Sequence, residues 1–246
     1  MRGFALALVL VVAVTLVVGV AALPRHGDPS GPIHTHVGAQ YLEHGVRDTG
    51  LRNLVTAVLL NYRGFDTFLE VIVLFTALVA VLALPSTTRP QRPGAAADRD
   101  GPGRSGRPEA VPVSPVVFFV VRLLAPFIAV FALASLYRGH ITPGGGFQSA
   151  AIVGALMIAL GLVFGRERAA RLVPYGARAW LQAVGPLGFA LVAFLGWRLT
   201  GAFLGFPADE AAHALREAMV VALEVSIAVG GAVVLAQLFM ALDVPA

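Results

Sequence analysis

The sequence predicts an all-α integral membrane protein with about six transmembrane helices, arranged as two helical modules joined by a flexible linker. Of its 246 residues, 57% are hydrophobic and only 13% are charged. A soluble domain averages about 45–50% apolar and about 25% charged residues, so a water-soluble fold of this size could not bury so much apolar surface. The apolar residues are also gathered into runs long enough to cross a bilayer as helices.

The first two apolar runs define an amino-terminal module. Residues 4–23 are free of charge over 20 positions, and a helix of that length spans about 30 Å, the thickness of the hydrocarbon core. A cleaved signal peptide is the alternative, but its apolar region normally covers only about 7–15 residues, so a retained helix is favoured. The second run, 65–84, follows a shorter apolar stretch, and the intervening Gly64 predicts a kink or an unwound turn there.

Residues 85–115 are rich in Pro, Gly, Arg and Asp and have no helical or strand periodicity. This composition predicts a flexible linker and hence a domain boundary. The predicted division is therefore a two-helix module over 1–84, the linker over 85–115, and a four-helix domain over 116–246. The four spans of the last domain are predicted at 116–136, 147–164, 181–197 and 218–242.

The basic residues predict the orientation in the membrane. All 18 of them are arginines, and most lie between the apolar runs. Short loops rich in arginine stay cytoplasmic. The linker and the loop after the fourth span carry the most arginines, so both termini are predicted to be cytoplasmic in a multi-pass protein of the cell membrane. No clustered basic face suggests nucleic-acid binding.

Cysteine is absent, which excludes disulfides, thiolate nucleophiles and iron–sulfur ligation. The first loop has four histidines, and His34 and His36 could lie near each other, but no cysteine or carboxylate completes a familiar ligand spacing. Neither a metal site nor a cofactor is predicted. Solvated loop positions or contacts with a partner are the favoured interpretation of these histidines.

Acidic residues inside the predicted spans are the candidate functional groups, because ionisable side chains are costly in a membrane and usually functional there. Glu70 and Glu224 lie at a similar depth on two different spans. Asp66 and Glu70 are spaced i, i+4 and share a helix face, with Arg63 one turn earlier. This pattern suits a proton or sodium relay. The alternative is that Arg63, Asp66 and Glu70 satisfy one another at a helix entry or hold a neighbouring protein of the complex.

The segment 137–148 contains Pro143 and three successive glycines, Gly144, Gly145 and Gly146, between two predicted spans. Proline fixes φ and glycine permits positive φ and a close backbone approach, so a tight re-entrant turn is predicted. A phosphate-binding loop is the alternative, but its glycine and lysine pattern is missing.

Two blocks of sequence resemble known families. The run of Arg63, Gly64, Phe65, Asp66 and Thr67 with Glu70 shortly after resembles the carboxy-terminal element of the large first subunit of Mrp-type antiporters, MrpA, and its small counterpart in membrane-bound hydrogenases.

The second block is similar to MrpB, the four-helix second component of the same antiporters. It carries the MrpB-type turn as His140 and Pro143 to Gln148, with Phe147 completing the Gly-Gly-Gly-Phe-Gln run, and Glu224 stands in the last helix, where that family tends to have an acid.

The resemblance implies an accessory membrane subunit of a multisubunit monovalent cation (Na⁺)/proton antiporter, a transporter component and not an enzyme. Its implied partners are the other membrane subunits, with Na⁺ and H⁺ as the transported ions. The chain has no lysine, so it cannot hold the lysine and glutamate relay of the large subunits. A membrane-arm subunit of an energy-converting hydrogenase or related oxidoreductase complex is the alternative. A purely structural scaffold is the third possibility.

Overall fold

The computed structural model describes residues 2–25, 27–84, 113–165, 171, 173–207 and 209–242. Within these ranges the protein is helical and has no strand. Six helices are long and apolar enough to cross a membrane, which confirms the predicted fold class. Residues 85–112 of the predicted linker lie outside the described ranges, so the division into modules stays a prediction.

The chain forms two compact units, Met1–Gly45 and Val46–Ala246. The first contains α1 (Arg2–Ala21), the short α2 (Pro32–Thr35) and most of α3 (Val37–Thr49). The side chains of α1 are exposed along its length and almost all apolar. Such a helix, apolar on every side, is suited to a lipid or protein environment and not to water.

The second unit begins with a broken helix. Asn53 caps α4 (Leu54–Thr56) by accepting hydrogen bonds from the backbone amides of Val55 and Thr56. A π-helical segment (Ala57–Tyr62) follows, and α5 (Gly64–Ala83) starts after a turn at Arg63. The wider π-helical turn leaves backbone groups in need of partners, and Thr67 Oγ1 donates to the Leu59 carbonyl at 2.7 Å. The predicted break near Gly64 is therefore confirmed, one residue earlier.

Four further spans complete this unit. They are α6 (Pro115–Tyr137), α7 (Gly146–Phe164), α8 (Tyr175–Thr200) and α9 (His213–Leu242). Helix α9 is the most buried of the spans and packs against α5, α6, α7 and α8. The core around it is apolar, with Phe189, Val220 and Leu223 fully buried. Two of the helices, α8 and α9, cross very closely, because a Cβ on Gly230 would lie only 2.6 Å from the Gly185 nitrogen.

Candidate functional site

Glu224 is the buried acid of this membrane bundle. Its side chain lies in the middle of α9 and is only 1% exposed. Oε1 is 3.4 Å from the Thr56 hydroxyl, and Oε2 is buried without a hydrogen-bond partner among the described residues. A buried carboxyl with half of its hydrogen-bonding capacity unused is unusual and needs a reason. Functional acids in membrane helices commonly face the bundle interior in this way.

The turn between α6 and α7 covers this carboxyl, as the sequence predicted for the glycine-rich segment. An ideal Cβ on Gly139 would lie 2.7 and 2.8 Å from the two oxygens of Glu224 and 2.5 Å from the Gly145 Cα. Gly145 has a φ of 126°, which side-chain-bearing residues rarely adopt. Glycine at these two positions therefore brings the backbone onto the acid, at a distance that any side chain would prevent.

The amino-terminal module fixes this turn in place. The Asn53 side-chain amide donates to the Gly139 carbonyl at 2.6 Å and to the Thr142 carbonyl at 2.9 Å. Thr56 Oγ1 also donates to the Gly139 carbonyl, at 2.9 Å. These bonds join residues more than eighty positions apart in sequence. The two sequence modules thus meet at Glu224, and each contributes polar atoms to it.

The geometry suits the exchange of a proton or a dehydrated cation. Thr56 has one hydroxyl hydrogen, and the shorter of its two contacts is with the Gly139 carbonyl. A protonated Glu224 could donate to Thr56 Oγ1, so the acid form has a hydrogen-bonded arrangement ready. The cleft beside it holds about 20 Å³, with Gln148 also on its wall. That is room for about one water molecule, or for a small ion held by oxygen ligands.

His140 lies on the other side of the same turn and is 9% exposed. Its Nε2–H donates to Glu217 Oε1 at 2.8 Å, and its Nδ1 is buried without a partner among the described residues. Glu217 is two helical turns before Glu224 on α9, so the two acids share a face of that helix. The histidine anchors the turn to the start of α9.

Glu70 and Asp66, the other predicted acids, are exposed on α5. Arg63 pairs with Asp66 and not with Glu70. Glu70 itself forms no hydrogen bond or ion pair with any described residue. Beside them, the exposed ring of Phe65 contacts Phe203 and Phe68. The structure therefore does not bring Glu70 into the Glu224 site, and the role of both acids stays a prediction.

The remaining motif residues divide between the two sides of the turn. Gly145 and Gly146 are buried against α9, while Pro143 and Gln148 are exposed. Sequence reasoning missed Asn53 and Thr56, although an Asn followed by an apolar run is a recognisable helix cap. It also gave no role to Arg216, which is 8% exposed. No group of three or more metal-binding side chains occurs among the described residues.

Comparisons with known proteins agree with the two resemblances seen in the sequence. Residues 116–238, half of the chain, match the family described as a domain related to the MnhB subunit of Na⁺/H⁺ antiporter. Residues 6–100 match the MbhE family, a component of MBH. The two family matches fall on either side of residues 101–115.

Two relatives in sequence have different lengths from this chain. A probable K⁺/H⁺ antiporter component of the fused A/B type, from Rhizobium meliloti, is 30% identical over 128 residues, which are 48% of this chain but only 13% of that protein. An uncharacterized protein of Methanocaldococcus jannaschii is 27% identical over 174 residues, 68% of this chain and 63% of that protein. The chain therefore spans less than two thirds of either relative.

Two solved structures share the fold. A chain of the membrane-bound sulfane sulfur reductase, an archaeal respiratory membrane complex, has a TM-score of 0.64 and 28% identity over 97% of this chain and 96% of that chain. A chain of the Mrp complex from Dietzia sp. DQ12-45-1b has a TM-score of 0.63 and 27% identity over 96% of this chain and 25% of that chain. With half of its length matching the family model, this multi-pass membrane protein belongs to the family of domains related to the MnhB subunit of Na⁺/H⁺ antiporters.

Proposed function

We propose that this chain is an accessory membrane subunit of a multisubunit monovalent cation/proton antiporter, in which Glu224 takes up and releases an ion. The family match and the likeness to a chain of an Mrp complex support the transport class. The observation that carries the role of Glu224 is its burial, at 1% exposure, under the glycine turn with one carboxyl oxygen left without a hydrogen-bond partner among the described residues.

The protein works with other membrane subunits and not alone. It has no lysine, so a relay that alternates lysine and glutamate must come from its partners. Glu70 and Asp66 are exposed at the side of α5, where a neighbouring subunit would supply their surroundings. In this proposal the chain is a transporter component and not an enzyme. Reconstituted by itself, it should show no cation-dependent proton flux.

The proposed ions are H⁺ and a monovalent cation, with Na⁺ as the first candidate because the matched family is named for Na⁺/H⁺ antiporters. The relative from Rhizobium meliloti is named as part of a probable K⁺/H⁺ antiporter, so K⁺ is the ion to compare. Proton flux in membrane vesicles containing the complex should respond to added NaCl more strongly than to KCl. The reverse order would reassign the cation without changing the proposed class.

The test of Glu224 is proton flux per assembled complex in vesicles carrying Glu224→Gln. Glutamine keeps the size of the side chain but cannot release a proton, so the flux should fall at least tenfold. Glu224→Asp keeps the carboxyl on a shorter stem and should retain part of the flux. Asp209→Asn is the matched control, because Asp209 is an exposed acid in the approach to α9, and it should transport like the wild type.

Assembly must be measured in the same vesicles, by quantifying the copurifying subunits. A Glu224→Gln complex that assembles and transports at the wild-type rate would reject the ion-exchange role. A complex that fails to assemble with either Gln or Asp, while Asp209→Asn assembles, would instead make Glu224 a structural acid.

A second candidate function rests on one observation, the lengths of the matched chains. This chain corresponds to 96% of the sulfane sulfur reductase chain but to 25% of the Mrp chain. A membrane-arm subunit of an energy-converting hydrogenase or related oxidoreductase is therefore the alternative. Purification of the native complex separates the two functions, since iron–sulfur or hydrogenase-like subunits support the alternative and only transporter subunits support the antiporter.

The proposed orientation places both termini in the cytoplasm. Because the chain has no cysteine, Ser30→Cys and Ser105→Cys are single-cysteine variants without further engineering. An impermeant thiol reagent added to intact cells should label position 30 and not position 105. The opposite labelling would invert the topology.

A further inference from the structure

A polar cavity of about 340 Å³ lies beside the glycine turn, at the end of the bundle where α6 ends and α9 begins. Its charged and titratable wall consists of Arg52, His140, His213, Arg216 and Glu217. It is separate from the small cleft beside Glu224, which has a different set of lining residues. The proposed ion exchange at Glu224 makes no use of this cavity.

Arg216 is the feature that demands a ligand. It is only 8% exposed, yet it forms no hydrogen bond or ion pair with any described residue. Its guanidinium lies against the backbone at Gly50, where an ideal Cβ would be 3.4 Å from Arg216 Cζ. A buried guanidinium without acceptors is strongly unfavourable. Because this side chain lines the cavity, a group inside the cavity is placed to supply the missing acceptors.

The charge of the cavity wall selects an anion. Its one acid, Glu217, already accepts a hydrogen bond from His140 at 2.8 Å. Arg52 and His213, both exposed, add donors at the rim. The positive charge of the two arginines is therefore not balanced within the wall. The planar guanidinium binds phosphate oxygens in pairs, so a phosphate-type oxyanion fits this chemistry well.

The position of the cavity along the spans identifies a source for such an anion. Helices α6 and α8 end at the level where α9 begins, because α7 and α9 run in the opposite direction. Tyr137 at the end of α6 is 77% exposed, and Trp197 near the end of α8 is 51% exposed. Exposed Tyr and Trp at helix ends mark the level of the lipid head groups. The cavity therefore lies where lipid phosphates are concentrated.

We infer that this cavity binds a phosphate-type oxyanion, the head-group phosphate of an anionic phospholipid, with Arg216 as its principal ligand and Arg52 and His213 at the rim. The site does not depend on ion exchange at Glu224. It would couple the start of α9, and the turn anchored by His140, to the surrounding bilayer. Free phosphate has the same ligand chemistry, so the experiment must distinguish the two sources.

The experiment measures the thermal stability of the detergent-purified, delipidated complex. Short-chain phosphatidylglycerol, phosphatidylcholine with the same chains, and inorganic phosphate are added at equal concentrations. Saturating phosphatidylglycerol should raise Tm by about 5 °C in the wild type. Arg216→Gln should lose most of this rise. Arg138→Gln removes an exposed arginine at the same end of the bundle, and it should keep the rise.

Each outcome decides one part of the inference. An equal rise with inorganic phosphate, lost in Arg216→Gln, would support the oxyanion site but overturn the lipid as its source. An equal rise with phosphatidylcholine, or one that persists in Arg216→Gln, would overturn the site. If Arg216→Gln does not assemble, Arg52→Gln at the exposed rim must weaken the phosphatidylglycerol effect, and an unchanged effect would overturn the inference.

Discussion

Glu70 and Glu224 lie on neighbouring packed helices, α5 and α9, and their surroundings are opposite. Glu224 is buried, with Thr56 and the Gly139 turn of its own chain around it. Glu70 is exposed and has no partner among the described residues. An ionised carboxylate facing hydrocarbon costs several kcal/mol by most measures. The comparison teaches that this chain completes the environment of one acid and leaves that of the other to a neighbouring subunit.

The largest effect should come from closing the space that the Glu224 site requires. Gly139→Ala places a methyl group 2.5 Å from the Gly145 Cα and against both oxygens of Glu224. The turn must move or the carboxyl must leave, at a cost of about 2–4 kcal/mol. We expect a marked fall in the yield and Tm of the purified complex.

Gly176→Ala is the matched control for this substitution. Gly176 also lies in a helix of the bundle, but a Cβ there meets nothing within 4 Å. Alanine is moreover the better helix former, so Tm should be unchanged or slightly raised. Equal Tm values for the two variants would contradict the close packing of the turn on Glu224.

The next effect concerns Glu70, whose environment comes from outside the chain. Glu70→Gln keeps the size and hydrogen bonding of the side chain and removes titration. If Glu70 belongs to an ion path at the interface between subunits, proton flux per assembled complex should fall about tenfold or more, and Glu70→Asp should keep part of it. Wild-type flux in Glu70→Gln at equal assembly would eliminate that role.

The sequence predicted the spans well because each depends on a local property, a run of about twenty apolar residues. The break before Gly64 and the turn at the glycine run were predictable for the same reason. Which side of a helix is buried is not local. Glu70 and Glu224 stand at similar depths in equally apolar runs, so the sequence could not show that α9 is central and that α5 has an exposed face.

The partners of Glu224 were missed for a related reason. Asn53 and Thr56 lie more than eighty residues from the Gly139 carbonyl that they bond, and no periodicity connects segments so far apart. Arg216 was interpreted only as a loop arginine, because burial of a charged side chain at a bundle end depends on the shape of a cavity. Local chemistry located the turn, and only the fold showed what lies beneath it.

A smaller effect is expected from Thr56→Val, which removes one hydroxyl at nearly constant volume. The Gly139 carbonyl keeps the bond from Asn53, so the loss should be about 1 kcal/mol, typical of a single hydrogen bond. Tm of the purified complex measures it. Thr76→Val is the control, because the Thr76 hydroxyl is exposed and bonds only within its own helix, to the Ile72 carbonyl. A loss equal to that of the control would mean that Thr56 does not support the site.

The smallest effect should come from Arg63→Gln on the exposed face of α5. Arg63 pairs with Asp66, and the side chains of both residues are more than half exposed, at 63% and 51%. Exposed ion pairs contribute about 0–1 kcal/mol, so Tm of the complex should hardly change. Because Arg63 does not pair with Glu70, the double variant Arg63→Gln/Glu70→Gln should transport as poorly as Glu70→Gln alone. Recovery of assembly or flux in the double variant would instead mean that Arg63 and Glu70 act as a charge pair once the neighbouring subunit is in place, and the acid on α5 would then be structural.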